Sequence, residues 1–549
     1  MLALFATAST LVAQVVVTDA SINAGETVTW TADNEYLLDG FVFVEEGATL
    51  NIEAGTVIKG KEIPSNTDLA STLIITRDAT INAIGTSDAP IIFTSELDDV
   101  TAAGDLTPQD RGLWGGLILL GNATIVSDGQ EEEIVEGLPV DDNRSLYGGT
   151  DDADNSGRLS FISIRHGGAE LAPGEEINGL TLAGIGSGTQ VDHVEVYSNS
   201  DDGIEFFGGT VDVTYAAVSF CGDDAFDWDL GYRGRGQYWF SIIGEDDGDN
   251  NAEMDGAKPD AGTPSSNPLI LNATYIGAGA NATAKNEHAL LFRDGTRGAY
   301  ANSIFTDGTN FGLQIEDVDS GIDSYQYYQD GALQLMNNIF WSFGQDLIQG
   351  TAAATPAIAA QLITDNNVQA DPQLRSISRT TDGGFDPRPS EDGPAYDQNA
   401  LAAFPNDDFF TTSFFKGAFC DDGVWIQKWT ALAQNNVLGA DVPFSGNAGC
   451  DVTSVEDFVS VDNGFVLTQN YPNPVVTTTD IFFSLPEAAT ISLEIFTVDG
   501  QLAASIYDNE RLIAGDHNVT YDASKLPQGF YYYSLKSGDL TITRSMMKR

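Results

Sequence analysis

Positive charge is scarce in this chain. Only 24 Lys and Arg stand against 81 Asp and Glu in 549 residues, a formal charge of -57 at pH 7. A polyanion of that size is repelled by nucleic acid and by anionic membrane surfaces, so neither is an expected partner. Divalent cations and neutral or cation-bridged glycans are. Cysteine is nearly absent, with three residues, which excludes a disulfide-built scaffold. Cys420 and Cys450 flank one compact segment and are expected to pair, while Cys221 sits apart as a buried thiol. Histidine is equally rare: His166, His193 and His288 have no His or Cys at a zinc-like spacing, and His517 lies near the C-terminus. No apolar run is long enough to cross a bilayer, so no transmembrane segment is expected. Residues 1–14 form a short apolar stretch ending in Ala13 before Gln14, the pattern of a signal-peptide core and cleavage site, without the usual basic start.

Helical periodicity is also missing. From about Val15 to residue 452 the chain is written in short β-rich runs punctuated by Gly, Asn and Asp, and 42% hydrophobic residues supply a large core. Repeats are visible. Gly47–Thr56 is echoed by Asp78–Thr86. Val191–Tyr197 with Ser198–Phe206 aligns on Val213–Ser219 with Phe220–Trp228 at a constant offset of 22, and Ala301–Phe305 matches Met336–Phe340. Asparagines repeated at such turns can form side-chain ladders, since an amide both donates and accepts. No series of hairpin turns is present, which argues against a sandwich or propeller for this region. The expected fold is all-β: a right-handed parallel β-helix (solenoid) over residues 15–452, an acidic linker over 453–464, and a small Ig-like β-sandwich over 465–549.

The last segment carries specific motifs. Asn470-Tyr471-Pro472-Asn473-Pro474, Ser484-Leu485-Pro486, Val498-Asp499-Gly500-Gln501, Leu526-Pro527-Gln528-Gly529-Phe530-Tyr531 and the closing Met546-Met547-Lys548-Arg549 resemble the C-terminal sorting domain of the type IX secretion system of Bacteroidetes. Val475 stands where that pattern usually has Phe. The resemblance implies export through that machinery and secretion or attachment at the outer-membrane surface. Trp114–Gly121, Asp201–Gly209 and Phe414–Phe419, with Trp425 and Trp429 behind them, also resemble a group of uncharacterised Bacteroidetes β-helix surface proteins. No reaction is implied by that likeness.

Three aspartate doublets, Asp201-Asp202, Asp223-Asp224 and Asp246-Asp247, follow one another at steps of 22 and 23. Stacked on rungs about 4.8 Å apart, neighbouring carboxylates repel by about 3 kcal/mol at an effective dielectric near 20. Calcium, which takes six to eight oxygens in flexible geometry, is the expected cofactor, held by these six residues with Asp227 or Asp249. No EF-hand loop is present. Alternatively, one Asp of each pair is a solvated turn residue, because successive strand side chains face opposite ways.

A second possibility is catalysis. Asn199-Ser200-Asp201 followed by Asp223-Asp224 resembles the carboxylates of the β-helical polygalacturonases, which makes Asp201, Asp223 and Asp224 candidate acid and base. The Gly-His-Gly and Arg-x-Lys elements of that family have no counterpart. Uronate lyase chemistry would instead need calcium with Arg233 or Arg235 as base. Trp228, Tyr232 and Trp239 near the aspartates, and Tyr325, Tyr327 and Tyr328 in a polar insertion, are candidate glycan-stacking rings. The residues favour a calcium- and glycan-binding or adhesive surface protein over an enzyme. A polysaccharide hydrolase or lyase, or a purely structural surface protein, are the alternatives.

Overall fold

The computed structural model describes residues 13–446 except 173, 320, 398–399, 403–404 and 406, and residues 466–548 except 468–469, 471–474, 476, 487, 498–500, 528 and 539. Residues 1–12 of the expected leader, the expected linker 453–464 and much of the Asn470–Pro474 motif lie outside the described residues. Ala13 and Gln14 begin the first strand, Ala13–Val17, which runs parallel to Asn34–Leu38. The chain divides into two units, Met1–Gly449 and Cys450–Arg549.

The first unit is a parallel β-helix. One representative coil runs through Gln190–Tyr197, bends, and continues through Ile204–Phe207; the next repeats this with Asp212–Ser219 and Phe226–Asp229, in register at the expected offset of 22. Parallel pairing joins every coil to the next. Ten strands from Phe41–Val44 to Ile348–Gln349 form one sheet, and a 19-stranded sheet combines the other two columns. They merge because strands such as Gly157–Arg165 traverse both, pairing first with Thr80–Ile84 and then with Ile91–Ser95.

Alternation decides what each sheet buries. In the ten-stranded sheet Leu182, Phe206, Trp228 and Met254 share one register column, and all four lie in the core at no more than 1% exposure. Each such side chain stabilises the fold by about 1.5–3 kcal/mol. Helix Ala354–Thr364 places Ala354, Ile358 and Leu362 against the same core beside the last coils.

The corner inside the larger sheet has positive φ at Phe161, His193, Tyr215, Tyr238, Asn272, Asn302, Asn337 and Asn366, which follow one another by register. Asn suits this left-handed conformation; bulky side chains pay about 1–2 kcal/mol there. Stacking offsets that cost for the first four, whose rings lie 4.1, 4.3 and 5.1 Å apart. The expected asparagine ladder runs beside this corner rather than through it. Asn338 Nδ2 donates to Asn367 Oδ1 and Asn82 Nδ2 to Asn51 Oδ1, each at 3.0 Å, whereas Asn302 and Asn337 donate outward to the carbonyls of Ala402 and Ala400.

Residues 413–446 fold back over the aromatic corner. The buried Trp425 and Trp429 meet the His193 ring edge-on. Glu195, fully buried, accepts hydrogen bonds from Ser163 Oγ, from the Ala431 N–H at 2.6 Å and from the Leu432 N–H at 3.3 Å. Arg165 donates to Ser163 Oγ and Gln434 Oε1. Cys420 is disulfide-bonded and Cys221 is a free, buried thiol; the expected partner, Cys450, lies outside the described residues.

In the second unit, three antiparallel strands (Val466–Leu467, Thr478–Leu485, Gly515–Asp522) and four more (Ala489–Thr497, Leu502–Leu512, Gly529–Ser537, Leu540–Lys548) form two sheets. They share a core of residues such as Ile481, Phe483, Leu493, Tyr533 and Met546.

Removing the carboxylate of Glu195 leaves two backbone N–H groups and the Ser163 hydroxyl without their acceptor in a buried interface. Glu195→Ala is expected to destabilise the first unit by about 3 kcal/mol in urea unfolding, and Glu195→Gln by less, because its amide oxygen still accepts. An unchanged unfolding midpoint for Glu195→Ala would contradict this role.

Candidate carboxylate site

The bend leading into the ten-stranded sheet concentrates acid. Because Ile204 pairs with Phe226, the first two aspartate doublets are stacked as expected. The third is not. Phe226 pairs with Ala252, an offset of 26, so Asp249 and Asn250 occupy the rung above Asp223 and Asp224. The expectation for Asp246 and Asp247 is therefore corrected: the longer coil loops them out of the column. Asp246 pairs with Arg111 at 2.8 Å, which helps hold its carboxyl below the usual range, and Asp247 is exposed.

Within the strands the outward positions are also acidic. Glu205, Asp227 and Glu253 form one register column, and Asp229 follows Asp227 on the same face by alternation. Asp227 is thus more than an accessory ligand, and Glu205 and Glu253, absent from the expected ligand set, stand beside it. The face thus carries an outer column (Asp201, Asp223, Asp249), a middle one (Asp202, Asp224, Asn250) and a strand column (Glu205, Asp227, Glu253).

The middle column has a structural task. Asp202 Oδ1 accepts the Asp224 N–H at 2.9 Å, Asp224 Oδ1 the Asn250 N–H at 2.5 Å, and Asn250 Oδ1 the His288 N–H at 3.1 Å. A neutral amide does on the third rung what carboxylates do on the first two, so this ladder does not itself require charge.

Compensating cations sit at one end. Lys285 pairs with Asp249 and Glu287, and Arg293 with Glu253 and Asp255. Among the described residues no Lys or Arg forms an ion pair with Asp201, Asp202, Glu205, Asp223, Asp224 or Asp227; Glu205 is met instead by the amide of Asn178. Burial first, and neighbouring carboxylates second, push Asp201 up to about 7 and Asp223 up to about 6, and raise Asp202, Glu205, Asp224 and Asp227 well above the ordinary carboxyl range. Four overlapping triplets each offer one oxygen per residue within 4.8 Å of the others: Asp201–Asp202–Asp223, Asp202–Glu205–Asp227, Asp223–Asp224–Asp249 and Asp224–Asp227–Glu253.

The expected aromatic platform is corrected. Trp228, Tyr232 and Trp239 are at most 1% exposed and pack inside the coil, with Tyr232 and Trp239 stacked on Phe206. Trp228 shares the inward parity of Phe206, and all three rings, buried, offer no face to a sugar. Tyr328 is buried as well; Tyr325 and Tyr327 are half-buried around helix Ser324–Gln329, where the Tyr327 hydroxyl accepts from Arg297. Arg233 and Arg235, the expected lyase bases, are engaged by Asp152 and by Asp212 with Asp407.

Residues 21–382 match the pectate-lyase-like β-helix domain family. The chain belongs to that family. Residues 469–549 match the secretion-system C-terminal sorting domain, which marks a secreted or cell-surface-attached protein that engages the type IX machinery. Among the described residues no helix is long and apolar enough to cross a membrane. No curated protein shows a significant match. Similar solved structures include the catalytic domain of a GH87 alpha-1,3-glucanase in complex with tetrasaccharides (11% identity, 62% of this chain and 66% of that one, TM-score 0.24) and the enzymatically active domain of bacteriophage CBA120 tailspike protein 2 (12% identity, 95% and 72%, TM-score 0.24).

A carboxyl whose folded pKa is raised is more stable in the fold when protonated. Its contribution is present below the unfolded value near 4 and is lost as pH rises through the folded value. For Asp201 and Asp223 that window is about pH 4 to 7. In chelator, the melting temperature is expected to fall as pH rises from about 4 to about 7. A flat or rising profile would contradict the crowding of these groups.

Proposed function

We propose that this secreted β-helix binds divalent cations of the calcium class on its carboxylate face and uses the cation-loaded face to hold extracellular polysaccharide. The single observation that carries this reading is the set of six carboxylates on two coils, Asp201, Asp202, Glu205, Asp223, Asp224 and Asp227, without a Lys or Arg ion pair among the described residues. A divalent ion relieves their repulsion, and hard carboxylate oxygens suit calcium. Asp223 is the exposed member of the set and Asp201 lies beside it on the outer column, so an ion at that pair keeps positions open for sugar hydroxyls or uronate carboxylates.

One observation favours a second reading, a polysaccharide-active enzyme. Asp201 and Asp223 each bring an oxygen within 4.8 Å of the other, and burial with the neighbouring carboxylates raises both, so one of the pair can hold a proton while the other accepts.

Calorimetric titration of the chelator-treated protein with calcium chloride, followed by glycan-array binding with and without calcium, tests the proposal. Calcium is expected to bind and to be required for glycan retention. Asp201→Asn/Asp223→Asn is expected to weaken retention at least tenfold, and Asp246→Asn/Asp247→Asn to leave it unchanged. Release of reducing ends or unsaturated products would favour the enzyme. No calcium binding would remove the proposal.

A further inference from the structure

Resting on the cation reading just given, we infer that the face holds two kinds of site, and that one is an inner structural site for a single divalent cation built on the half-buried Glu205 and Asp227. Asp202, Glu205 and Asp227 bring one oxygen each within 4.8 Å of the others. Three further buried oxygens on the residues around Glu205 lack a hydrogen-bond partner. Asp227 Oδ1 is buried and accepts no hydrogen bond. Thr181, fully buried, lies directly beneath Glu205 in register and on the same outward parity, since Leu180 and Leu182 beside it face the core; its Oγ1 has no partner. Asn178, 6% exposed, donates its amide nitrogen to Glu205, and its Oδ1 is likewise unpartnered.

Buried oxygens left without donors destabilise the fold, and orphaned groups beside an uncompensated carboxylate pair have one common remedy. A calcium-class ion accepts carboxylate, hydroxyl and amide oxygens in one irregular shell of six to eight. Zinc does not suit the set, because neither His nor Cys contributes. Moving along the column shows why the ion belongs on these coils: one rung further, Arg293 takes Glu253, and Lys285 takes Asp249. The inner site ties three successive rungs, Thr181, Glu205 and Asp227, together, whereas an ion at Asp201 and Asp223 faces solvent and exchanges with it. The inner ion is therefore structural and the outer one is the glycan-facing ion.

Calcium chloride titrated into the chelator-treated full-length protein, read by calorimetry and by thermal melting, separates the two. Two classes are expected, with the tighter one responsible for most of the rise in melting temperature. Asp227→Asn is expected to weaken the tighter class at least about tenfold and to abolish most of the calcium-induced rise. Thr181→Val, which keeps the shape and the fold, is expected to weaken the same class. Asp201→Asn/Asp223→Asn is expected to remove only the weaker class. If calcium binds in one class that Asp227→Asn and Thr181→Val leave unchanged, the inner site is overturned while the cation reading stands. If the wild-type protein binds no calcium, both fall.

Discussion

Every coil of this protein sits about 4.8 Å above the one before it, and parallel register places each side chain over its counterpart. That constraint turns any local choice into a column. Apolar residues become a continuous core, as in Leu182, Phe206, Trp228 and Met254; asparagines become ladders; and carboxylates become a field that each member feels from its neighbours. Core columns reinforce themselves, whereas charged columns oppose themselves. Stacking on the acidic face thus works against the fold unless protons or a cation neutralise the carboxylates.

The molecule treats its faces differently. The corner that carries Phe161, His193, Tyr215 and Tyr238 is covered by the returning segment with Trp425 and Trp429, clamped through the buried Glu195. Early coils of the ten-stranded sheet are covered by an apolar cluster including Phe43, Ile118, Leu138 and Tyr147. Over Glu205, Asp227 and Glu253 the outward residues become acidic, and scarce basic residues are used on the third rung alone. With 24 basic residues against 81 acidic ones, the chain has few internal cations to spare for the rest.

Much of this is legible in the sequence. The offset of 22 between Ile204 and Phe226 was correct, and with it the stacking of the first two doublets. The sorting motifs marked export. The third doublet misled because a coil's length is set by its loops: four extra residues before Ala252 carried Asp246 and Asp247 out of the column and put Asp249 in. The aromatic reading failed on parity. Ile204-Glu205-Phe206 aligned with Phe226-Asp227-Trp228 shows that Trp228 faces inward with Phe206, and the same alternation exposes Glu205 and Asp227 as an outward acidic column. That signal was present in the repeat. What no repeat could show is which carboxylates lack a cation, since Arg293 and Lys285 reach the site from a coil more than thirty residues away.

On the reading proposed above, a divalent ion completes the carboxylate columns of this face. Anomalous diffraction from a crystal of the protein soaked in a terbium salt, a calcium substitute with a strong signal, tests it most directly. The account predicts a peak bounded by Asp202, Glu205 and Asp227, with none between Asp246 and Arg111. An acidic face without any peak would contradict it.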